Sequence, residues 1–305
     1  MDQTLAQTIQ GFSNYIQQNP TDLIVVHGDR VEALAGALVG SLNNIRVAHV
    51  EGGELSGTID DSMRHAISKL SHAHFVANSD AARRLHQMGE HPANIWEIGS
   101  PDTDIMLSGN LPSLSEAKQR YEIDFENYSI LLYHPVTTEV DDSYLHATNL
   151  VEAVLSTREN YVVIAPNNDL GCEHIFLAYR KFKNNPRIRY FPSLRFEQFL
   201  TLLKNANYII GNSSCGIHEA PYFGVPTVNI GTRQNGRALN QDIIHTGYGM
   251  ENILQGIRQA SNTKLNPVKL NGDGDSAERF VRVIRDEGFW NSPKQKTFLE
   301  LPKVA

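Results

Sequence analysis

At 305 residues the chain is long enough for two domains of ordinary size, each with its own core. A net charge of −7 and the absence of a Lys/Arg stripe exclude a nucleic-acid surface, though a few placed arginines suffice for a small anionic ligand. No apolar run approaches the roughly 20 residues of a membrane span, MDQTLAQTIQGF carries no secretory signal, and Cys172 and Cys215 are too few for a disulfide framework or structural zinc, so a cytoplasmic protein is expected.

The first predicted element is a helix, LAQTIQGFSNYIQQ, leading into a strand at DLIVVHGD (22–29). IRVAHVEGG (45–53), AHFVAN (73–78) and NIWEIGS (94–100) read as further strands. Between them lie the helical patterns VEALAGALVGSL (31–42), DDSMRHAISKL (60–70) and DAARRLHQMG (80–89). This alternation predicts parallel strands joined by crossover helices, and the β-branched, continuously apolar runs suit strands covered on both faces.

A polar section from Ser108 to Asn127 follows, and a domain boundary is placed there, giving domains 1–125 and 126–305. The alternation resumes with SILLYHPVT (129–137), NYVVIAPNND (160–169), RIRYFPSL (187–194), NYIIGNSS (207–214) and VPTVNIGT (225–232), with a helix at FEQFLTLLKNA (196–206). The last helix, SAERFVRVIRDEGF (276–289), is amphipathic and is expected to pack back on the first domain. The expected fold class is α/β, two doubly wound Rossmann-like domains facing across a cleft. Such a domain usually opens with a strand and a Gly-rich turn that meets phosphate. No such turn precedes Asp22, so the first domain is expected to be short of its opening strands.

Ligands of doubly wound folds bind at the carboxyl ends of the strands, where each polar cluster of this chain falls. HGD puts Asp29 and Arg30 after the first strand, and HVEGGE puts Glu51 after the second. SGTIDD puts Asp60 and Asp61 in the first turn of the next helix, with Thr58 as its N-cap. A single acid at a helix start is more often a cap than a catalyst, and Glu54 is expected at the surface. Glu51 ends an apolar strand and precedes two glycines, which serve a ligand's close approach or a simple turn. Asp29, Glu51 and Asp60 on three strand ends favour an acid/base site over caps.

In the second half, His134 in YHPVT again lies just past a strand. His72, His74, His86, His91 and His146 receive a structural or surface reading, and no histidine pair has a convincing third ligand for a metal. In GNSSCGIHEAPYFGVP (211–226) a strand is followed by a helix predicted to start near Cys215 or Gly216. Its amides, with the hydroxyls of Ser213 and Ser214, would hold a phosphate, and Glu219 could accept from a ribose diol; an ordinary Ser-capped helix explains the segment equally well. Cys215 reads as a small buried residue, because no base supports a nucleophile. Arg233 and Arg237, on the GTRQNGR loop, are candidates for a diphosphate or for solvated surface.

HGDR, HVEGGELSGTIDDSMRHAISKL, YHPVT, GNSSCGIHEAPYFGVPTVNIGTRQNGR and NGDGDSAERF, in this order, resemble the hydrolysing UDP-N-acetylglucosamine 2-epimerases of sialic-acid-type sugar biosynthesis over nearly the whole chain. The resemblance implies a GT-B-like fold, no metal or redox cofactor, and conversion of UDP-N-acetylglucosamine and water to N-acetylmannosamine and UDP through a glycal. It places catalytic roles on Asp29, Glu51, Asp60 and His134, and UDP contacts on Arg30, Ser213, Ser214, Gly216, Glu219 and Arg233. It also implies a homo-oligomer whose only other partner is a nucleotide sugar. The compact GGELSGTIDD looks like the hydrolysing version of the central stretch. Members of the family begin with further strand–helix units and a Gly-Thr-Arg turn, which are not found before Met1. The competing readings are a non-hydrolysing epimerase, an epimerase of a modified UDP-sugar, a glycosyltransferase, and a catalytically silent nucleotide-sugar-binding protein.

Overall fold

The computed structural model describes residues 1–56, 59–236, 242–269 and 271–301. Thr58 and Arg237 therefore lie outside the described residues. The chain divides into two α/β units, the first comprising Met1–Leu107 with the segment from Asn271 onward, the second the intervening chain from Ser108.

Unit 1 opens with α1 (Asp2–Gln18), then alternates β1 (Leu23–His27), α2 (Val31–Leu42), β2 (Arg46–Val50), α3 (Ile59–Leu70), β3 (Ala73–Val76), α4 (Ser79–Gln87), β4 (Ile95–Glu97) and α5 (Pro101–Leu107). Among the described residues its four strands are parallel and lie in sequential order. Successive residues of a strand face opposite sides, and β2 shows the consequence. Val47 joins Ile24, Val26, Ala37 and Ile67 in a core under α2 and α3, whereas Ala48 and Val50 join Phe75 on the other face. β1 is an edge strand among the described residues, with Val25 half exposed beside a groove of about 640 Å³ walled by Phe12 and Tyr15.

Unit 2 contains α6 (Leu114–Arg120), β5 (Ser129–Leu132), α7 (Ser143–Thr157), β6 (Tyr161–Ile164), α8 (Cys172–Tyr179), β7 (Ile188–Phe191), α9 (Phe196–Lys204), β8 (Ile209–Gly211), β9 (Thr227–Ile230), β10 (Ile244–Thr246) and α10 (Met250–Ser261). Its parallel sheet has the order β10-β9-β8-β5-β6-β7. The winding reverses between β5 and β8, the topological switch point at which doubly wound sheets open a crevice beyond their strand ends.

The sequence-based boundary at 125 differs from the division found. Residues 108–125 pack with unit 2: Ala117 is fully buried, Thr201 donates to the Pro112 carbonyl at 2.8 Å, and the Tyr121 ring meets Phe191 edge-on. The segment reads as a linker because α6 buries one residue and exposes the rest of its polar face. The C-terminal segment belongs to unit 1. Its predicted single helix is two, α11 (Ser276–Ile284) and α12 (Glu287–Trp290), the second restarted by the Asp286 side chain capping Gly288 N at 2.7 Å. Phe280 and Phe289 pack against Phe75 with tilted rings and cover the face of the sheet opposite α2 and α3. No described helix is long and apolar enough to cross a membrane.

The chain beyond α12 is clasped to unit 1 by charge. The Lys296 ammonium donates to the Ser68, Lys69 and Ser71 carbonyls at the C-terminus of α3 and to Glu90 at 2.6 Å. His72 and His74, treated as structural from sequence, serve the same clasp: His72 bonds the Lys294 carbonyl and His74 bonds Glu90. Burial opposes ionisation of Glu90, but hydrogen bonds and charge from His74, Lys296 and Lys69 prevail and hold its carboxyl down at about 2. A depressed carboxyl contributes stability that is present above its ordinary range and lost as pH falls through the folded value. Glu90→Gln should therefore destabilise the protein at pH 7 by on the order of 2 kcal/mol. In a denaturant series at several pH values, the gap to the parent should narrow as pH falls from 4.5 towards 2.

Candidate active site

The carboxyl edge of the unit 1 sheet gathers acids around one buried arginine that the sequence reading passed over. Arg64 lies on α3, one turn after Asp60, so the two share a helix face, and both are buried. Its guanidinium pairs with Asp29 beyond β1, with side-chain exposures of 7% and 17%, and it also donates to the Glu51 carbonyl beyond β2. It reaches Ser56 Oγ as well, and that hydroxyl donates to Asp29 at 2.7 Å while the Ser56 amide donates to Asp61. One cation thus connects the loops after β1 and β2 to the start of α3. Glu54, expected at the surface, is half-buried.

The glycines after Glu51 serve packing of the chain on itself. A Cβ on Gly52 would stand 2.8 Å from His49 Nδ1, and Gly53, at φ 77°, lets the turn pass so close to α4 that a Cβ would stand 2.3 Å from the Ala81 carbonyl oxygen. His49 is fully buried, bonded to Gly28 O at 2.9 Å and to Ser68 Oγ at 3.0 Å. Burial, only partly offset by the Gly28 hydrogen bond, lowers its pKa to about 3, so it is a neutral strut with Nε2–H donating to the carbonyl and Nδ1 accepting. It fixes the loop that carries Asp29.

Glu51 itself is held in the left-handed region at φ 63°, a conformation that costs a non-glycine residue of order 1 kcal/mol or more. Both its carboxylate oxygens are engaged: Oε2 by His27 Nε2 at 2.9 Å and Oε1 by the Ser100 hydroxyl at 2.6 Å. Burial works against its charge, but His27, Ser100 and Arg64 together hold its carboxyl below the usual range. Reciprocally, the hydrogen bond that Glu51 accepts raises the pKa of His27 despite burial. One further acid faces this pair. Asp102, in the first turn of α5, is pushed up by burial and by the charge on Glu51. Carboxyls driven in opposite directions are what acid/base chemistry requires.

In unit 2 the polar groups collect at the switch point. Asn212, fully buried after β8, clamps the backbone of His134 after β5: its Oδ1 accepts from His134 N at 2.7 Å and its Nδ2 donates to His134 O at 2.8 Å. The Asn212 carbonyl accepts from Arg233 at 3.2 Å and Gln234 at 2.6 Å, so one residue positions both His134 and the arginine loop. The Asn167 amide donates to His134 Nδ1 at 3.0 Å, leaving the proton on Nε2. His134 is therefore set as a neutral hydrogen-bond donor rather than a strong acid.

The segment after β8 is not the regular helix expected from sequence. It runs as 3-10 turns, Ser214–Gly216 and Ala220–Phe223, because Pro221 has no amide to donate and Gly224, at φ 65°, turns the chain. Ser213 and Ser214 are half-buried, the former capping Cys215 N, and Glu219 is buried. Gly216 faces inward, where a Cβ would stand 2.6 Å from Thr227. Burial and the charge on Glu219 push the Cys215 thiol up, so it is no nucleophile. Arg30 is the N-cap residue of α2. Among the described residues no group of three His, Cys, Asp or Glu side chains could hold a metal ion.

Comparison with known proteins identifies the family and the fold. Residues 1–285 match the family described as UDP-N-acetylglucosamine 2-epimerase. A protein of that name from Neisseria meningitidis serogroup B is 47% identical over 305 residues, covering 99% of this chain and 81% of the relative. A UDP-N,N'-diacetylbacillosamine 2-epimerase (hydrolyzing) from Legionella pneumophila is 34% identical, covering 93% and 76%. Among solved structures, the Methanocaldococcus jannaschii UDP-GlcNAc 2-epimerase in complex with UDP-GlcNAc and UDP superposes with a TM-score of 0.78 at 23% identity, covering 92% and 80%, which establishes the two-unit GT-B-like α/β fold.

Removing the central cation should be costly. Arg64→Met leaves Asp29 with an uncompensated charge, and a loss of about 3–5 kcal/mol is expected in a denaturant melt. Arg64→Lys should recover only part of it, because an ammonium cannot reach Asp29, Ser56 and the Glu51 carbonyl at once.

Proposed function

The chain belongs to the UDP-N-acetylglucosamine 2-epimerase family, and on that footing we propose that it is a hydrolysing epimerase, converting UDP-N-acetylglucosamine and water to N-acetylmannosamine and UDP. The observation that carries the proposal is the gathering of Asp29, Glu51 and Asp60 at one sheet edge by Arg64 and its neighbours. The compact GGELSGTIDD stretch and the hydrolysing Legionella relative support water, rather than a returning UDP, as the group that adds to C1.

In this mechanism a carboxylate removes the C2 proton while the C1–O bond breaks and its electron pair leaves with UDP. The resulting glycal takes water at C1 and a proton at C2 on the opposite face. Two faces need acid/base groups in two positions, and the carboxyls Asp29, Glu51 and Asp60 share these transfers. His134, donating from Nε2, would steady the departing diphosphate. Arg30, Ser213, Ser214, Glu219 and Arg233 would hold UDP, with the Gly216 turn lending its backbone. Self-association and a place in sialic-acid-type sugar synthesis belong to the same proposal. A modified, diacetamido-trideoxy sugar is the second reading, favoured by the substrate in the Legionella relative's name.

Incubation with UDP-N-acetylglucosamine should release UDP and free N-acetylmannosamine. An epimerised nucleotide sugar would identify a non-hydrolysing enzyme, and turnover of only the diacetamido substrate would select the second reading. Asp60→Asn and Glu51→Gln should each lower turnover about 100- to 10,000-fold with UDP binding retained, and full turnover by either folded variant would remove that residue from the mechanism. Ser213→Ala should weaken UDP binding, read by calorimetry, more than it slows a saturated enzyme.

A further inference from the structure

Two acids in the first turn of α5 have different fates. Asp104 is fully employed: its carboxylate accepts from Ser276 N at 2.9 Å, Ser276 Oγ at 2.8 Å and Ala277 N at 2.9 Å, capping α11. The Asp102 carboxylate accepts no hydrogen bond from any described residue, although it is half-buried and faces Glu51 and His27. Its amide donates to Ser100 Oγ at 3.3 Å, and that hydroxyl donates to Glu51 Oε1 at 2.6 Å, so the two acids flank one serine. The first turn of α5 favours an acid through the helix dipole, but burial and the charge on Glu51 oppose the ionisation of Asp102 there.

From these contacts we propose that Asp102 is a further catalytic residue of this chain, the acid that delivers a proton to C2 of the sugar. The proposal rests on the hydrolysing reaction of the preceding subsection. After a neighbouring carboxylate has taken the C2 proton and UDP has left with the C1–O electron pair, the Asp102 carboxyl gives its proton to C2 of the glycal. The double-bond electrons form the new C–H bond, the water oxygen bonds to C1, and the surplus water proton returns to the Asp102 carboxylate. The proton taken in the first step passes to solvent. Around Asp102, His27 lies at the end of β1 and Glu51 at the end of β2; Arg64 of α3 acts on both, and Asp104 is the other acid of α5. At the start of α11, Arg279 is paired with Asp273 and Asp275.

The sign of the stability effect separates this role from a structural one. Burial and Glu51 raise the Asp102 pKa, so folding favours the protonated form; that stability is present below the ordinary carboxylate range and lost as pH rises through the raised value. Asp102→Asn removes the loss. Its Tm should exceed the parent's by about 1 °C or more at pH 7–8, with the gain gone near pH 4. The gain should shrink when Glu51→Gln is also present. Over the same pH range, Asp102→Asn should form N-acetylmannosamine about 100- to 10,000-fold more slowly while binding UDP as before. A Tm at pH 7–8 equal to or below the parent's would overturn the proposal, as would full turnover by the variant. A parent that releases no UDP from any nucleotide sugar would overturn the hydrolysing reading and this one together, whereas turnover shown by the parent and kept in full by the variant defeats this one alone.

Discussion

The Arg64–Asp29 ion pair is the constraint on which the unit 1 site depends. A buried pair of this kind gains little over a well-packed apolar substitute, because desolvating both ions costs about as much as their attraction returns. Its value here is geometric. The guanidinium has five donors in a fixed plane, and they go to a carboxylate after β1, a carbonyl after β2 and a serine before α3. Three loops that could each relax separately are referred to one rigid cation on a helix that also carries Asp60.

A second layer supports that cation without touching the acids. His49, neutral and enclosed, joins the Gly28 carbonyl to Ser68 of α3, and the Lys296 clasp secures the far end of the same helix. Against this rigidity stands Glu51, in a left-handed backbone with its carboxylate held ionised. Glu51 combines a left-handed backbone with a carboxylate whose charge burial opposes, the combination that marks a candidate reactive site. Unit 2 uses an uncharged equivalent: the Asn212 amide holds His134 by its backbone, and its carbonyl holds the arginine loop.

The alternating apolar runs made the parallel sheets legible, because β-branched strands and amphipathic helices differ in period. HGD, HVEGGE and YHPVT were legible as strand ends, and so as candidates, because polar residues there have few structural uses. Residues that act through others were not. Arg64 and Asn212 look like one more arginine on a helix and one more asparagine in a loop until three-dimensional contacts give them partners distant in sequence. The helix expected after Ser213 failed for a local reason, since Pro221 breaks the amide run that its pattern seemed to promise. β10 was missed because the polar His245 and Thr246 cut its apolar run short, and residues 108–125 were assigned to the first domain because α6 buries a single residue and shows no core of its own.

The central claim is that carboxyl groups exchange a proton at C2 of a sugar while water takes the place of UDP at C1. It is tested most directly by running the reaction in D2O, and in parallel in 18O-labelled water, and examining the released sugar by NMR and mass spectrometry. One solvent-derived deuterium at C2 and one 18O at C1, with none in the UDP, is the expected result. A product that keeps its original C2 hydrogen, or that carries the label in UDP instead of the sugar, would contradict it.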